Sequence, residues 1–110
     1  MTYAVRNDEG YEVVELVGDV DLSCSPEARA IILDRLDQGS HVLVDLSQVT
    51  YIDSSGVASL VEGFQTAKKM QLRFGLVGVS SAALSVLKLA RLDRVFPIHA
   101  TVKDRIKADG

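Results

Sequence analysis

Three small polar residues and a glycine, Asp53-Ser54-Ser55-Gly56, stand together between two strongly apolar stretches of the sequence. Residues 41–46 (HVLVDL) form a short apolar run, which is typical of a buried strand. From residue 57 onward the apolar residues recur at i, i+3, i+4 and i+7, a spacing that predicts a helix over residues 54–69. The turn that joins such a strand to such a helix is exposed at the carboxyl edge of an α/β sheet, where functional sites are found.

The chemistry that this turn offers is that of a reachable hydroxyl group at a helix start. We expect Ser54 to be the N-cap and Ser55 to occupy about the first helical position, beside free backbone N–H groups and the positive end of the helix dipole. A phosphate added to Ser55 would then meet an anion-binding helix terminus. Plain capping is the alternative explanation, because Ser and Asp are the ordinary residues at helix starts. A cap needs only one side chain, however, and three polar side chains stand here in a row.

A second acidic motif, Gly18-Asp19-Val20-Asp21, follows the predicted second strand, much as Asp53 follows the central strand. If these two strands are parallel neighbours, the carboxylates of Asp21 and Asp53 line the same sheet edge as Ser55. They would then form a polar rim around that hydroxyl group. The alternative is that Asp21 caps a loop and Asp53 is a turn residue.

Strands and helices alternate along the rest of the chain, which predicts an α/β fold with a mixed, mainly parallel sheet and about four helices. Strands are expected over residues 3–6, 11–17, 41–46, 72–77 and 94–99. Helices are expected after Ser25 as N-cap, from about Ser54, after Ser80 or Ser81 as N-cap, and from Thr101. The turn cluster at residues 7–10 predicts a hairpin, so the first strand should run antiparallel to the second. With 110 residues and no linker or repeat, the chain is expected to form one domain over residues 1–110.

Composition and charge argue against several classes of function. The net charge is −3 and no basic run is longer than Lys68-Lys69, so no direct binding to nucleic acid is expected. No apolar run approaches the ~20 residues of a membrane helix, residues 1–10 lack the apolar core of a signal peptide, and the single Cys24 fits a reducing compartment. The sequence has no zinc-ligand spacing, phosphate-binding glycine loop or nucleophilic triad, and His41 and His99 fall at strand edges. It therefore predicts a cytoplasmic protein that is not an enzyme, binds no cofactor or metal and does not insert into a membrane.

Three blocks of the sequence carry a resemblance to a known family. The segment Val42–Val57 reads V-L-V-D-L-S-x-V-x-x-I-D-S-S-G-V, Gly18–Asp21 reads G-D-V-D, and Leu87–Ile98 reads LKLARLDRVFPI. These blocks resemble the core motif, the Gly-acidic-apolar-Asp signature and the leucine-rich C-terminal segment of the STAS domain family, in the family's order and over nearly the whole chain. Within that family they are most similar to the bacterial anti-sigma factor antagonists.

The resemblance implies that Ser55, the second serine of D-S-S-G, is a phosphoacceptor and therefore a substrate rather than a catalyst. The implied mechanism is a partner switch. The unphosphorylated protein binds an anti-sigma factor, which is also a serine kinase of the GHKL ATPase class, and thereby frees a sigma factor. Phosphorylation by that kinase, which Asp21 and Asp53 would bind and orient, releases the complex, and a phosphoserine phosphatase resets the switch.

The partner surface departs from the family pattern just after D-S-S-G. The family commonly has an apolar residue and then glycine there, whereas Val57 is followed here by Ala58 and Ser59. Specificity is expected on the exposed side of the second helix, where Ser59, Glu62 and Gln65 should point. The predicted partner-binding residues are Asp21, Asp53, Ser54, Ser55, Gly56, Ser59 and Glu62.

Two other functions stay open. One is a STAS subunit of a lipid ABC transporter, which would dock its ATPase through the same helix start. Such subunits often lack the phosphoacceptor serine, so the intact D-S-S-G motif favours the partner switch. The other is a small nucleotide-binding enzyme with Asp53 as its base, which would need a glycine loop or paired catalytic groups.

Overall fold

The computed structural model describes residues 3–110, in which strands and helices alternate as the sequence predicts. The strands are β1 (Ala4–Asp8), β2 (Tyr11–Val20), β3 (His41–Ile52), β4 (Phe74–Val77) and β5 (Ile98–His99), and the helices are α1 (Ser25–Asp37), α2 (Ser54–Lys69), α3 (Ser81–Leu89) and α4 (Val102–Asp109). The five strands lie in the sheet in chain order, with β1 antiparallel to β2 and every other pair parallel. The expected α/β fold, with its mixed sheet and four helices, is confirmed.

Strand β2 is buried on both faces of the sheet, which explains the consecutive apolar residues Val13 and Val14. Both side chains are fully buried, and they point to opposite faces because side chains alternate along a strand. Val14 joins the main core, where α1, α2 and α3 cover one face. Val13 joins a smaller cluster on the other face, which Val102 and Ile106 of α4 complete.

The central strand β3 runs to Ile52, well beyond the predicted end at Leu46. Its first half pairs with both β2 and β4, whereas beyond Asp45 only β2 continues the ladder. Residues 47, 48 and 50 are polar and exposed on this narrower part of the sheet, so the apolar pattern ends before the strand does. Strand β2 is also longer than predicted, and the two strands end side by side with Val20 paired to Ile52.

Several other predicted boundaries were wrong by a few residues. Strand β1 is shifted to Ala4–Asp8, β4 begins at Phe74, and the last strand shrinks to Ile98–His99, with Pro97 before it. Helix α1 has Cys24 as its N-cap, and Ser25 is its first residue rather than its cap. The Ser25 hydroxyl is buried against a neighbouring helix, so it is not available to cap its own.

Two glycines let α2 approach the sheet and α1 closely. A Cβ atom on Gly56 would lie 2.5 Å from the carbonyl oxygen of Val20 and 2.6 Å from Cγ1 of Ile52. A Cβ atom on Gly63 would lie 2.8 Å from Cγ2 of Ile32. Gly56, which the sequence analysis places among the partner-binding residues, is therefore buried in a backbone contact.

Candidate functional site

The site lies where β2 and β3 end side by side. Val20 and Ile52 are the last paired residues of these strands, and Asp21 and Asp53 follow them directly. The backbone N–H of Asp53 donates to the carbonyl oxygen of Val20 at 3.3 Å, which ties the two turns together. The two carboxylates therefore share one edge of the sheet, as parallel pairing requires.

Asp53 is the N-cap of α2, whereas the sequence pattern predicted Ser54 for this role. Its Oδ1 accepts hydrogen bonds from the backbone N–H groups of Ser55, at 2.9 Å, and Gly56, at 3.1 Å. The same oxygen accepts the Ser55 hydroxyl at 2.5 Å. The Ser55 hydroxyl, and then the Gly56 amide, hold the pKa of Asp53 below its usual value, because they stabilise the charged carboxylate. Ser54 is the first helical residue and lies exposed.

The Ser55 hydroxyl is half-buried and held by two partners. It donates to Asp53 and accepts a hydrogen bond from the Ser25 hydroxyl at 3.1 Å. The expectation of free amide groups beside Ser55 is wrong, because Asp53 already occupies those of Ser55 and Gly56. A phosphate on Ser55 would consequently stand next to a carboxylate instead of filling an open anion site.

Asp21 forms a tight turn with its own loop. Its Oδ1 accepts the backbone N–H of Ser23 at 3.0 Å and the Ser23 hydroxyl at 2.7 Å. The Ser23 hydroxyl is the main cause that lowers the pKa of Asp21, while the negative charge of Asp53 acts in the opposite direction. Asp21 thus makes the contacts of a loop cap, as the alternative interpretation predicts. The same carboxylate also lies at the sheet edge that carries Asp53.

An exposed apolar side chain, Leu22, lies between these two acidic turns. It is 74% exposed, and it lines a shallow hollow together with Asp21, Ser23 and Asp53. The sequence analysis gave Leu22 no role, because a lone leucine in a loop carries no periodic pattern. Its exposure beside Asp53 is a feature that only the folded arrangement reveals.

Two residues expected on the exposed side of α2 are engaged within the protein. Ser59 is buried and donates to the carbonyl oxygens of Ser55, at 3.1 Å, and Ser25, at 3.4 Å. Glu62 accepts two 2.7 Å hydrogen bonds from the guanidinium group of Arg29 on α1. The reason is that residues four and seven positions after Ser55 share its side of the helix, and that side faces α1. The sequence analysis missed Ser25 and Arg29. They are four residues apart and so share one side of α1, and this spacing is the signal that could have identified them.

The described residues hold no other obvious chemical centre. Within residues 3–110 no three His, Cys, Asp or Glu side chains are grouped so as to hold a metal ion. His41 opens β3 and accepts the backbone N–H of Arg73 at 2.9 Å, and His99 closes β5, so both are strand-end residues as expected. None of the helices in this part of the chain is long and apolar enough to cross a membrane.

Comparison with known proteins agrees with the resemblance seen in the sequence. The family model described as "STAS domain" matches residues 2–105. The anti-sigma-B factor antagonist of Bacillus subtilis is 25% identical over 96 residues, which cover 87% of this chain and 88% of that protein. The anti-sigma-F factor antagonist RsfB of Mycobacterium tuberculosis is 26% identical over 109 residues, which cover 96% of this chain and 87% of that one. A solved structure of an anti-sigma factor antagonist from Mycobacterium paratuberculosis is 26% identical, with a TM-score of 0.84 and coverage of 97% and 92%. The chain belongs to the STAS domain family.

Proposed function

We propose that this protein is an anti-sigma factor antagonist that works by partner switching, with Ser55 as its phosphoacceptor. In the unphosphorylated form it binds an anti-sigma factor in the cytoplasm and so controls transcription indirectly, without touching nucleic acid. The observation that carries the proposal is the Ser55 hydroxyl, which is oriented by Asp53 at a sheet edge where Asp53 also borders the exposed Leu22. The names of the curated relatives, which match most of this chain, support the same function.

The surface around Ser55 suits a protein partner better than a small substrate. Leu22 offers an apolar anchor, and burying a leucine side chain in a partner's pocket contributes about 1.5–3 kcal/mol. Asp21 and Asp53 flank it with negative charge, so the partner should present a hydrophobic pocket edged by basic residues. The hollow is shallow and open, unlike the enclosed pockets that bind small ligands.

Phosphorylation of Ser55 would reverse binding by changing the charge in the centre of this surface. The kinase transfers the γ-phosphoryl group of ATP to Oγ, the hydroxyl proton now donated to Asp53 leaves, and ADP is released. The phosphate adds about 1.5–2 negative charges at neutral pH, beside two carboxylates that are already there. Burying such a group against a surface made for a hydroxyl costs several kcal/mol, and each 1.4 kcal/mol weakens binding tenfold.

The partner that fits this scheme is an anti-sigma factor that is also a serine kinase of the GHKL class. A phosphoserine phosphatase completes the cycle by hydrolysing the phosphate from Ser55. The protein itself performs no chemistry in this scheme, since its serine is the substrate of both enzymes. Asp53 and Asp21 contribute by holding the turns that present Ser55 to the kinase.

The test is a pull-down from lysate of the native cell, comparing wild type with Ser55→Glu and identifying the captured proteins. Ser85→Glu is the matched control, because it adds the same charge to an exposed serine on α3, away from the predicted partner-binding residues. Circular dichroism establishes that all three proteins are folded. Capture of a GHKL-type serine kinase by wild type and Ser85→Glu, but not by Ser55→Glu, is the expected result. Capture of an ABC-type ATPase and its permease by all three would overturn the proposal in favour of a transporter subunit.

A further inference from the structure

The phosphoacceptor opens sideways onto a cleft between α1 and α2. Ser25, Ser55 and Ser59 line its floor, and the ion pair between Arg29 and Glu62 forms its far end. Of the described residues that line this cleft, Arg29 alone carries a positive charge. Within this cleft, the guanidinium group of Arg29 is therefore the one cation that a phosphate on Ser55 could contact.

Helix geometry places that guanidinium within reach of Ser55. The hydroxyl groups of Ser25 and Ser55 are in contact, which fixes the two helix starts at the same level. Arg29 is four residues beyond Ser25, or about 6 Å along α1, whereas Glu62 is seven residues beyond Ser55, or about 10 Å along α2. Along the helix axes Arg29 thus lies about one turn from Ser55, the same axial offset as between the partners of an ordinary i,i+4 ion pair.

We propose that Arg29 is the counter-charge for phosphorylated Ser55, and that phosphorylation transfers its guanidinium group from Glu62 to the phosphate. The inference rests on the proposed phosphorylation of Ser55 and describes what the chain does in response. Phosphorylation then changes two positions of the partner surface at once, because the phosphate gains a guanidinium partner and the Glu62 carboxylate loses its own.

The charges around the cleft favour this exchange. Arg29 now binds one carboxylate through Nε and Nη2, and both partners are about half exposed, so water and salt screen this ion pair. A phosphate carries up to twice the charge of a carboxylate and accepts the same two-pronged hydrogen bonding from arginine. On its other sides the phosphate faces the carboxylates of Asp53 and, farther along the sheet edge, Asp21, both of which repel it. Electrostatic attraction and repulsion together consequently favour a phosphate position near Arg29.

The experiment uses the full chain with phosphoserine installed at position 55 during translation, so that no kinase is needed. Phosphorus NMR then follows the second pKa of the phosphate in wild type, Arg29→Gln and Glu62→Gln. Arg35→Gln is the matched control, because it removes the same charge from the last turn of α1, six residues farther from Ser55. Because a nearby cation favours the doubly charged phosphate, Arg29→Gln should raise this pKa by about half a unit to one unit. Glu62→Gln should lower it or leave it unchanged, and Arg35→Gln should leave it at the wild-type value.

Equal titration curves for wild type, Arg29→Gln and Arg35→Gln would overturn the inference. A second measurement needs no substitution, and it covers the case in which Arg29→Gln does not fold. The ¹H–¹⁵N signal of Arg29 Nε should move when Ser55 is phosphorylated, and an unchanged signal contradicts the exchange. Failure of the pull-down would count against the partner switch alone, since the phosphate in this experiment is installed directly.

Discussion

Replacing Gly56 by alanine tests the close packing on which the geometry of the site depends. Helix propensity alone predicts that Gly56→Ala stabilises the protein by about 1 kcal/mol, because glycine is a poor residue inside a helix. The structure predicts the opposite sign. The new methyl group would lie 2.5 Å from the carbonyl oxygen of Val20 and 2.6 Å from Cγ1 of Ile52, so the start of α2 must move away from the ends of β2 and β3.

The magnitude follows from two opposing contributions. Overpacking of a tight interior typically costs about 1–3 kcal/mol, and the propensity gain of about 1 kcal/mol offsets part of that cost. We expect a net loss of up to about 2 kcal/mol in the free energy of unfolding, measured by urea denaturation. The displacement also strains the contact between Asp53 N–H and the carbonyl oxygen of Val20, which holds Ser55 in place. Capture of the partner should therefore weaken along with stability.

Gly63→Ala is the control, because it overpacks the same helix away from the site. Its methyl group would meet Cγ2 of Ile32 at 2.8 Å and Cε2 of Phe74 at 3.0 Å, both of them side-chain atoms. This variant should lose stability but keep its partner. A Gly56→Ala protein that is more stable than wild type, with partner capture intact, would refute the reasoning, since both results require that the methyl group fits without moving α2.

Three other substitutions have distinct expected outcomes. The pKa of Asp53 is lower in the folded protein than in the unfolded one, where it is about 4. The ionised carboxylate therefore contributes its full stabilisation above the unfolded pKa, and this stabilisation is lost as the pH falls through the pKa of the folded state. Asp53→Asn should therefore be less stable than wild type at pH 7 by a margin that shrinks at pH 3, and an equal margin in urea unfolding at both pH values would contradict this. Burial raises the pKa of Tyr3 to about 12, and within residues 3–110 its buried hydroxyl has only the Cys24 thiol, a weak hydrogen-bonding group, as a neighbouring partner. Tyr3→Phe should consequently unfold at the same or a higher urea concentration and lose an absorbance change near pH 12, whereas a loss of more than about 1 kcal/mol would show that the hydroxyl is bonded. Leu22→Ala should keep the melting temperature of wild type, because the side chain is exposed, and should weaken capture of the anti-sigma factor; undiminished capture would remove Leu22 from the interface.

The architecture could be predicted from the sequence because periodicity and turn residues agree along the chain. Strand β3 shows the limit of that approach. Its first half is apolar and was recognised, while its second half carries polar residues on a narrower part of the sheet, where only β2 remains as a neighbour. Exposure there depends on where β4 ends, which is a property of the sheet and not of the residues in β3. The boundary error at Leu46 is therefore a tertiary effect.

The candidate site could be predicted in position but not in its contacts. Asp53 and Asp21 were placed at one sheet edge because parallel strands bring their carboxyl ends together. Ser59 was misplaced because helical periodicity distinguishes an apolar face from a polar one, yet gives no sign that a hydroxyl group is paired with carbonyl oxygens of a second helix. Arg29 was missed for a related reason, since its partner Glu62 lies 33 positions away in sequence.

The residues around Ser55 divide into two sets that can be changed separately. Asp53 both caps α2 and accepts the Ser55 hydroxyl, so any substitution there alters helix stability and the phosphoacceptor together. Ser25 and Arg29 lie on α1 and line the cleft without capping α2, so their substitution leaves the Asp53 cap of α2 in place. Suppose that variants of α1 keep the stability of the unphosphorylated protein but lose an effect of phosphorylation. That effect must then arise in the cleft. Substitutions within the D-S-S-G motif cannot make that distinction, which is why helix α1 is the better place to probe the switch.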